Sequence, residues 1–189
     1  MTLEDRMVLA VERVRDRLLR ASSALESSSI PYAVVGGSAV ALWVATIDTS
    51  AVRNTPDVDI LLRRTDLDAA AGALESAGFI RRHIAGVDLF LDGPDAKPRD
   101  AVRIMFATEK IRPDHALASP DVSEFEKLAG FRVISLDPLL LMELTSFRTI
   151  NWMHLRDMLD IGLIDATWPA RLPPDLAARL QQLIDAPDS

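Results

Sequence analysis

Residues 34–62 read VVGGSAVALWVATIDTSAVRNTPDVDILL, and this stretch decides how the rest of the chain is interpreted. A short apolar strand, Tyr32 to Val35, runs into Gly36, Gly37 and Ser38, and the spacing then predicts a helix over Ser38 to Val44. A glycine turn at a helix N-terminus suits phosphate, because exposed backbone N–H groups and the helix dipole both attract anions. Some twenty residues on, Asp57 to Leu62 alternates at first as a strand does, so Asp57 and Asp59 project to one face. Two carboxylates on one strand face suit a divalent metal. The stretch therefore predicts a site for a metal-bound nucleotide.

The composition narrows the setting. At 189 residues with 49% hydrophobic content, the chain can bury a core of its own. It has no cysteine, which excludes disulfides, thiolate zinc sites and thiol catalysis. No leader pattern opens the sequence and no apolar run reaches membrane-span length, so the expectation is a soluble protein with the cytoplasm as default location. A net charge of −7 argues against a broad nucleic-acid surface, which requires many Lys and Arg on one face. Arg63, Arg64, Arg81, Arg82, Lys97, Arg99 and Arg103 are read mainly as solvated strand ends and loops.

Apolar residues at three- and four-residue steps, Met7, Val11, Val14, Leu18, Ala21 and Leu25, widened by Val8 and Leu19, predict an amphipathic helix from Leu3 to Ser27. A helix over Asp66 to Ala77 ends at Gly78, and strands are predicted at Phe79 to Ile84, Val87 to Leu91, Ala101 to Ala107 and Phe131 to Ile134. Residues 110–130 read as polar loop. Helices follow at Leu139 to Arg148, Trp152 to Leu163 and Pro174 to Ile184. The fold class is α+β, a mixed sheet flanked by helices. The chain divides into a core over 1–108 and a loop with a C-terminal helical region over 109–189, packed on that core.

The run GGS, helix, Arg53, Thr55, then DVDILL resembles the signature of polymerase-beta-type nucleotidyltransferases, and within them the minimal and AbiEii-like bacterial members. Arg53, Thr55, Asp57 and Asp59 match their Arg-x-Thr-x-Asp-hydrophobic-Asp strand. Arg148, Arg156-Asp157 and Asp160 are similar to a later helical pattern of AbiEii-like proteins, although Glu143 stands where that pattern opens on Lys. The resemblance implies a nucleotidyltransferase fold and transfer of NMP from an NTP to a hydroxyl or phosphate on tRNA, protein or a small molecule. In that scheme Asp57 and Asp59 hold Mg2+ or Mn2+, a third carboxylate on a later strand activates the acceptor, and Gly36, Gly37, Ser38, Arg53 and Thr55 contact phosphate. It also implies a toxin role with an antitoxin partner.

The strand AVRIMF carries Arg103 where the third carboxylate would be most useful, so Asp88 in VDLFLD is the candidate for that role. Ser38 also reads as a helix N-cap. Arg156 and Asp160 are spaced for an ordinary i,i+4 pair, and His154 and Asp157 for a local hydrogen bond. Trp152, Leu155, Met158, Leu159 and Leu163 form a core stripe. His83, His115 and His154 have no metal-ligand spacing among themselves. Arg103 and Glu143 keep a second reading open, a catalytically silent nucleotide- or partner-binding protein on the same fold. A partner-binding module carrying the signature by coincidence is the third.

Overall fold

The computed structural model describes residues 2–186; the side chains of residues 3, 4, 6 and 7 lie outside that description, Met7 of the predicted stripe among them. Seven strands form one mixed sheet in the order β3-β4-β5-β2-β1-β7-β6. They are β1 (Tyr32–Val35), β2 (Val58–Leu62), β3 (Ile80–Ile84), β4 (Val87–Leu91), β5 (Ala101–Phe106), β6 (Phe125–Leu128) and β7 (Phe131–Ile134). The fold class is α+β, as the sequence predicts. β1 runs antiparallel to β2 and parallel to β7, while β2 runs parallel to β5. Central β1 and β2 are buried along their whole length, which is why both read as near-continuous apolar runs broken only by Asp59.

Two groups of helices cover the sheet. α1 (Leu3–Ser27) packs on α3 (Leu67–Ser76) and touches β2 and β5, whereas α2 (Gly36–Ala45) packs on α4 (Leu136–Ser146) and α5 (Thr149–Asp160). α6 (Pro174–Asp185) joins through α4 and α5. In α1 the predicted stripe is buried only toward its C-terminal end, at Leu18, Ala21 and Leu25; Val8, Val11 and Leu19 are exposed. The remaining apolar stripe of α5 is as expected, with Leu155 and Met158 fully buried and Trp152 and Leu159 packed against them.

Three differences from the sequence reading bear on the site. β6 falls inside the stretch read as loop: its pattern FEKL leaves Glu126 and Lys127 in solvent, so neither an apolar run nor strict alternation marks it. β6 and β7 lie beyond residue 108 yet complete the same sheet, so the C-terminal region shares the core's strands as well as its helices. α4 ends at Phe147, whose φ of 47° lies in the left-handed region, and this break puts Arg148 at the N-cap of α5 rather than inside a helix.

α2 is tied to β7 by the buried Trp43, whose indole Nε1–H donates to the Ile134 carbonyl at 2.9 Å. Trp43→Phe keeps most of the packing and removes that bond. Chemical denaturation should show a loss of about 1 kcal/mol with an unchanged m-value.

Candidate functional site

The parallel pairing of β2 with β5 sets Val58 beside Val102, Asp59 beside Arg103 and Ile60 beside Ile104. Cross-strand neighbours share a face, so Arg103 is delivered directly to the carboxylates predicted for metal. Asp59 is 3% exposed, and the Arg103 guanidinium grips it with two bonds, Nε to Oδ1 at 2.6 Å and Nη2 to Oδ2 at 2.9 Å. Nη2 also lies 3.4 Å from Oδ2 of the half-exposed Asp57. Burial pushes the Asp59 carboxyl up from its ordinary value, while the bonds and charge of Arg103 pull it down and keep the guanidinium protonated.

The glycine turn is built against this pair. Gly36 has φ +62°, and a Cβ there would stand 2.5 Å from Asp59 Oδ2. A Cβ on Gly37 would meet Thr55 Oγ1 at 2.8 Å and His154 Nε2 at 3.2 Å. Both glycines are thus required by close approach, one of them also by backbone conformation. α2 starts at Gly36 after Val35, which offers no side-chain cap, and among the described residues no side chain caps its first backbone N–H groups. Ser38 is not the N-cap, a place Val35 takes: it sits inside the helix, is buried, and its hydroxyl donates to the Asp57 carbonyl at 2.9 Å. It clamps α2 to the start of β2.

Other predicted residues divide between cleft and scaffold. Thr55 Oγ1 accepts from the Asp57 N–H at 3.3 Å. Arg53 forms a bidentate pair with Asp157, at 2.9 and 2.8 Å, clasping the loop before β2 to α5. Arg156 donates to the carbonyls of Leu183 and Ala186, both at 2.6 Å, and so fastens α5 to the end of α6 instead of pairing with Asp160, which is exposed. His154 does not bond Asp157; its Nδ1 donates to Glu143 at 2.9 Å.

Asp88 does not join Asp57 and Asp59. β4 pairs with β5 so that Leu89 is opposite Arg103, and the neighbouring Asp88 therefore points from the opposite face of the sheet and meets the cleft only at its rim, beside His83. There its carboxylate lies 3.3 Å from His83 Nδ1 and 3.6 Å from Arg81 Nη2. Among the described residues no three His, Cys, Asp or Glu side chains converge as a metal site. The side chains present do not fit the expected Mg2+ or Mn2+: one carboxylate is bidentate to an arginine, the second is within reach of the same cation, and the third is absent.

A cleft of about 670 Å³ opens over this arrangement, lined by the glycine turn, Arg103, the 109–115 segment and α5 among others. Two features of it escaped the sequence reading. Glu143, 3% exposed, is a hub: its Oε2 accepts from Asn151 Nδ2 at 2.7 Å as well as from His154, which turns His154 Nε2 toward Gly37 and Thr55. The other is a basic wall. Lys110, Arg112 and Arg148 line the cleft and, among the described residues, none has a carboxylate partner. Their proximity is felt by His115, which burial holds below its ordinary value, with Asp114 opposing and Arg112 and Arg148 adding to the lowering. A run of charge in a polar loop carries no sign of where it points, so only Arg148 was anticipated. Arg63 and Arg64, by contrast, are paired with Asp121 and Glu109 and pin the segment after β5.

No family model and no curated protein matches the chain. Solved structures do. The JHP933 protein of Helicobacter pylori is similar at TM-score 0.56 and 16% identity over 94% of this chain and 75% of its own. A further Helicobacter pylori structure, described as a nucleotidyltransferase, is similar at TM-score 0.55 and 16% identity over 95% of this chain and 78% of its own. The fold is that of nucleotidyltransferases. An antigenic nucleotidyltransferase-like protein from Paracoccidioides brasiliensis is similar at TM-score 0.55 and 17% identity, covering 90% of this chain and 88% of its own. The antibiotic-resistance factor ANT(2'')-Ia is similar at TM-score 0.50 and 13% identity, covering 95% and 91%. At these identities the likeness concerns the fold alone.

Two substitutions check the construction of the site. Gly36→Ala forces a Cβ into Asp59 and a side chain into positive φ, and should cost about 1–3 kcal/mol in thermal or denaturant unfolding. Glu143→Ala leaves the buried Asn151 amide and His154 Nδ1 without their shared acceptor, and a loss of about 2–3 kcal/mol is expected by the same measurement.

Proposed function

We propose that this protein binds a nucleoside triphosphate, or a ligand with the same phosphate chemistry, in the cleft between the sheet and α5, without carrying out metal-dependent nucleotidyl transfer. The observation that carries the reading is the meeting, in one cleft, of the uncapped N-terminus of α2 at Gly36 and Gly37 with three cations, Lys110, Arg112 and Arg148, that no carboxylate neutralises among the described residues. In a chain of net charge −7 such a wall is not a general property of the surface. It is suited to several adjacent anionic oxygens, which helix-terminal N–H groups and guanidinium forks bind well.

The chain's own residues supply binding and orientation. Backbone N–H groups at the turn donate to one phosphate, Arg148 and Arg112 reach others, and His154 Nε2, aimed by Glu143, faces the gap between Gly37 and Thr55. The Mg2+- or Mn2+-dependent transfer to an RNA, protein or small-molecule acceptor that the resemblance implies would need Asp57 and Asp59 to hold metal. Arg103 stands against that, so the reading stops at binding.

Calorimetry with ATP, GTP, CTP and UTP, run beside an assay of label transfer from each NTP in Mg2+, tests the reading. Binding of at least one nucleotide, weakened about tenfold or more by Arg148→Ala, with no label transferred, is the expected result. Mg2+-dependent transfer to any acceptor would overturn it, as would absence of binding to all four.

A further inference from the structure

Resting on the nucleotide-binding reading, we propose that Arg103 is a resident cation in the place of the metal: it keeps divalent ions off Asp57 and Asp59 and meets the ligand's phosphate itself, so that the ligand is taken up free of metal. Three observations lead there. First, Arg103 is placed by sheet register, not by a chance side-chain excursion; β5 cannot slip by one residue without turning its buried Val102 and Ile104 to the wrong face. Second, its inner edge is fully used, since Nε and Nη2 hold both oxygens of Asp59 and Nη2 also approaches Asp57. Third, its outer edge is open. The side chain is 40% exposed and lines the cleft, and Nη1 has no hydrogen-bond partner among the described residues.

The charge balance follows from this geometry. Two carboxylates side by side attract a dication strongly when nothing else neutralises them, but here a guanidinium already does so with the best bidentate geometry available to it. A Mg2+ ion entering at Asp59 would have to displace that pair and leave a cation beside a cation, with the guanidinium still anchored on its own strand. A phosphate oxygen arriving from the cleft meets no such obstacle. It finds the two N–H groups of Nη1, and the guanidinium then bridges Asp59 on one edge and phosphate on the other. Mg2+ complexed to the ligand lowers the negative charge that this cation and the basic wall recognise. Nucleotide affinity should therefore be equal or greater in chelator than in Mg2+, the reverse of a metal-dependent site.

The test combines two readouts on the full chain. In electron paramagnetic resonance of Mn2+, the wild-type protein should leave the signal of the free ion undiminished, while Arg103→Asp, which places a third carboxylate in register with Asp59, should immobilise the ion. In calorimetry with ATP, the wild type should bind at least as tightly in EDTA as in Mg2+, and Arg103→Met should lose about tenfold or more in EDTA while, with Asp57 and Asp59 no longer neutralised, beginning to immobilise Mn2+. Circular dichroism establishes that each variant is folded; if Arg103→Asp is not, the wild-type Mn2+ signal and Arg103→Met decide the matter. Immobilisation of Mn2+ by the wild type, or ATP binding that requires Mg2+, overturns the role of Arg103 while leaving nucleotide binding intact. Failure of the wild type to bind any nucleotide in either condition instead removes the reading on which the proposal rests.

Discussion

The ion pair between Arg103 and Asp59 is the constraint around which the site is arranged. A carboxylate 3% exposed on a central strand is costly unless its charge is met, and the bidentate guanidinium meets it. The pair in turn dictates its neighbours. Gly36 has no side chain because Asp59 Oδ2 occupies the space a Cβ would need, and the sharp entry from β1 into α2 follows from that absence. Ser38 then fastens the same helix to the Asp57 carbonyl, so turn, strand and ion pair form one unit. Replacing Arg103 with a neutral residue would leave Asp59 with its folded pKa raised further above the unfolded one; such a protein loses stability as pH rises from the unfolded value through the folded value, and recovers it in acid.

A second polar assembly holds the opposite wall. Glu143 on α4 gathers Asn151 and His154 from α5 on one oxygen, across the break that the left-handed Phe147 makes between the two helices. The Arg53–Asp157 clasp then joins α5 to the loop that precedes β2. These contacts link the C-terminal helices to the strand bearing Asp57 and Asp59, so the width of the cleft is set by polar bonds as well as by apolar packing. A Lys at position 143 would bring a cation here. The acidic residue makes this wall self-satisfied and leaves ligand charge to be met by Lys110, Arg112, Arg148 and Arg103.

Local periodicity made much of this visible in advance. The strands on either side of the glycines depend on short-range patterns of two and on turn chemistry, and β1 and β2 are found close to where those patterns place them, although α2 begins at Gly36 rather than Ser38 and β2 at Val58, which leaves Asp57 just ahead of the strand. Asp88 shows what lies beyond such patterns. Its strand was located correctly, but which face it presents depends on the register of β4 on β5, and that is set by how the loop over residues 92–100 closes. One residue of register separates a carboxylate at the site from one on the far side of the sheet. Glu143 and His154 are each visible in the sequence, yet their bond crosses a helix break that the sequence pattern places after Arg148 and the structure places at Phe147. Lys110 and Arg112 lie in irregular chain, where side-chain direction has no period to follow.

A crystal of the protein soaked with Mn2+ and a non-hydrolysable ATP analogue, read by anomalous scattering, tests the central claim most directly. The account predicts analogue phosphate against Nη1 of Arg103, the bidentate bond to Asp59 intact, and no anomalous peak between Asp57 and Asp59. A Mn2+ peak bridging those two carboxylates, with the Arg103 guanidinium displaced from Asp59, would contradict it.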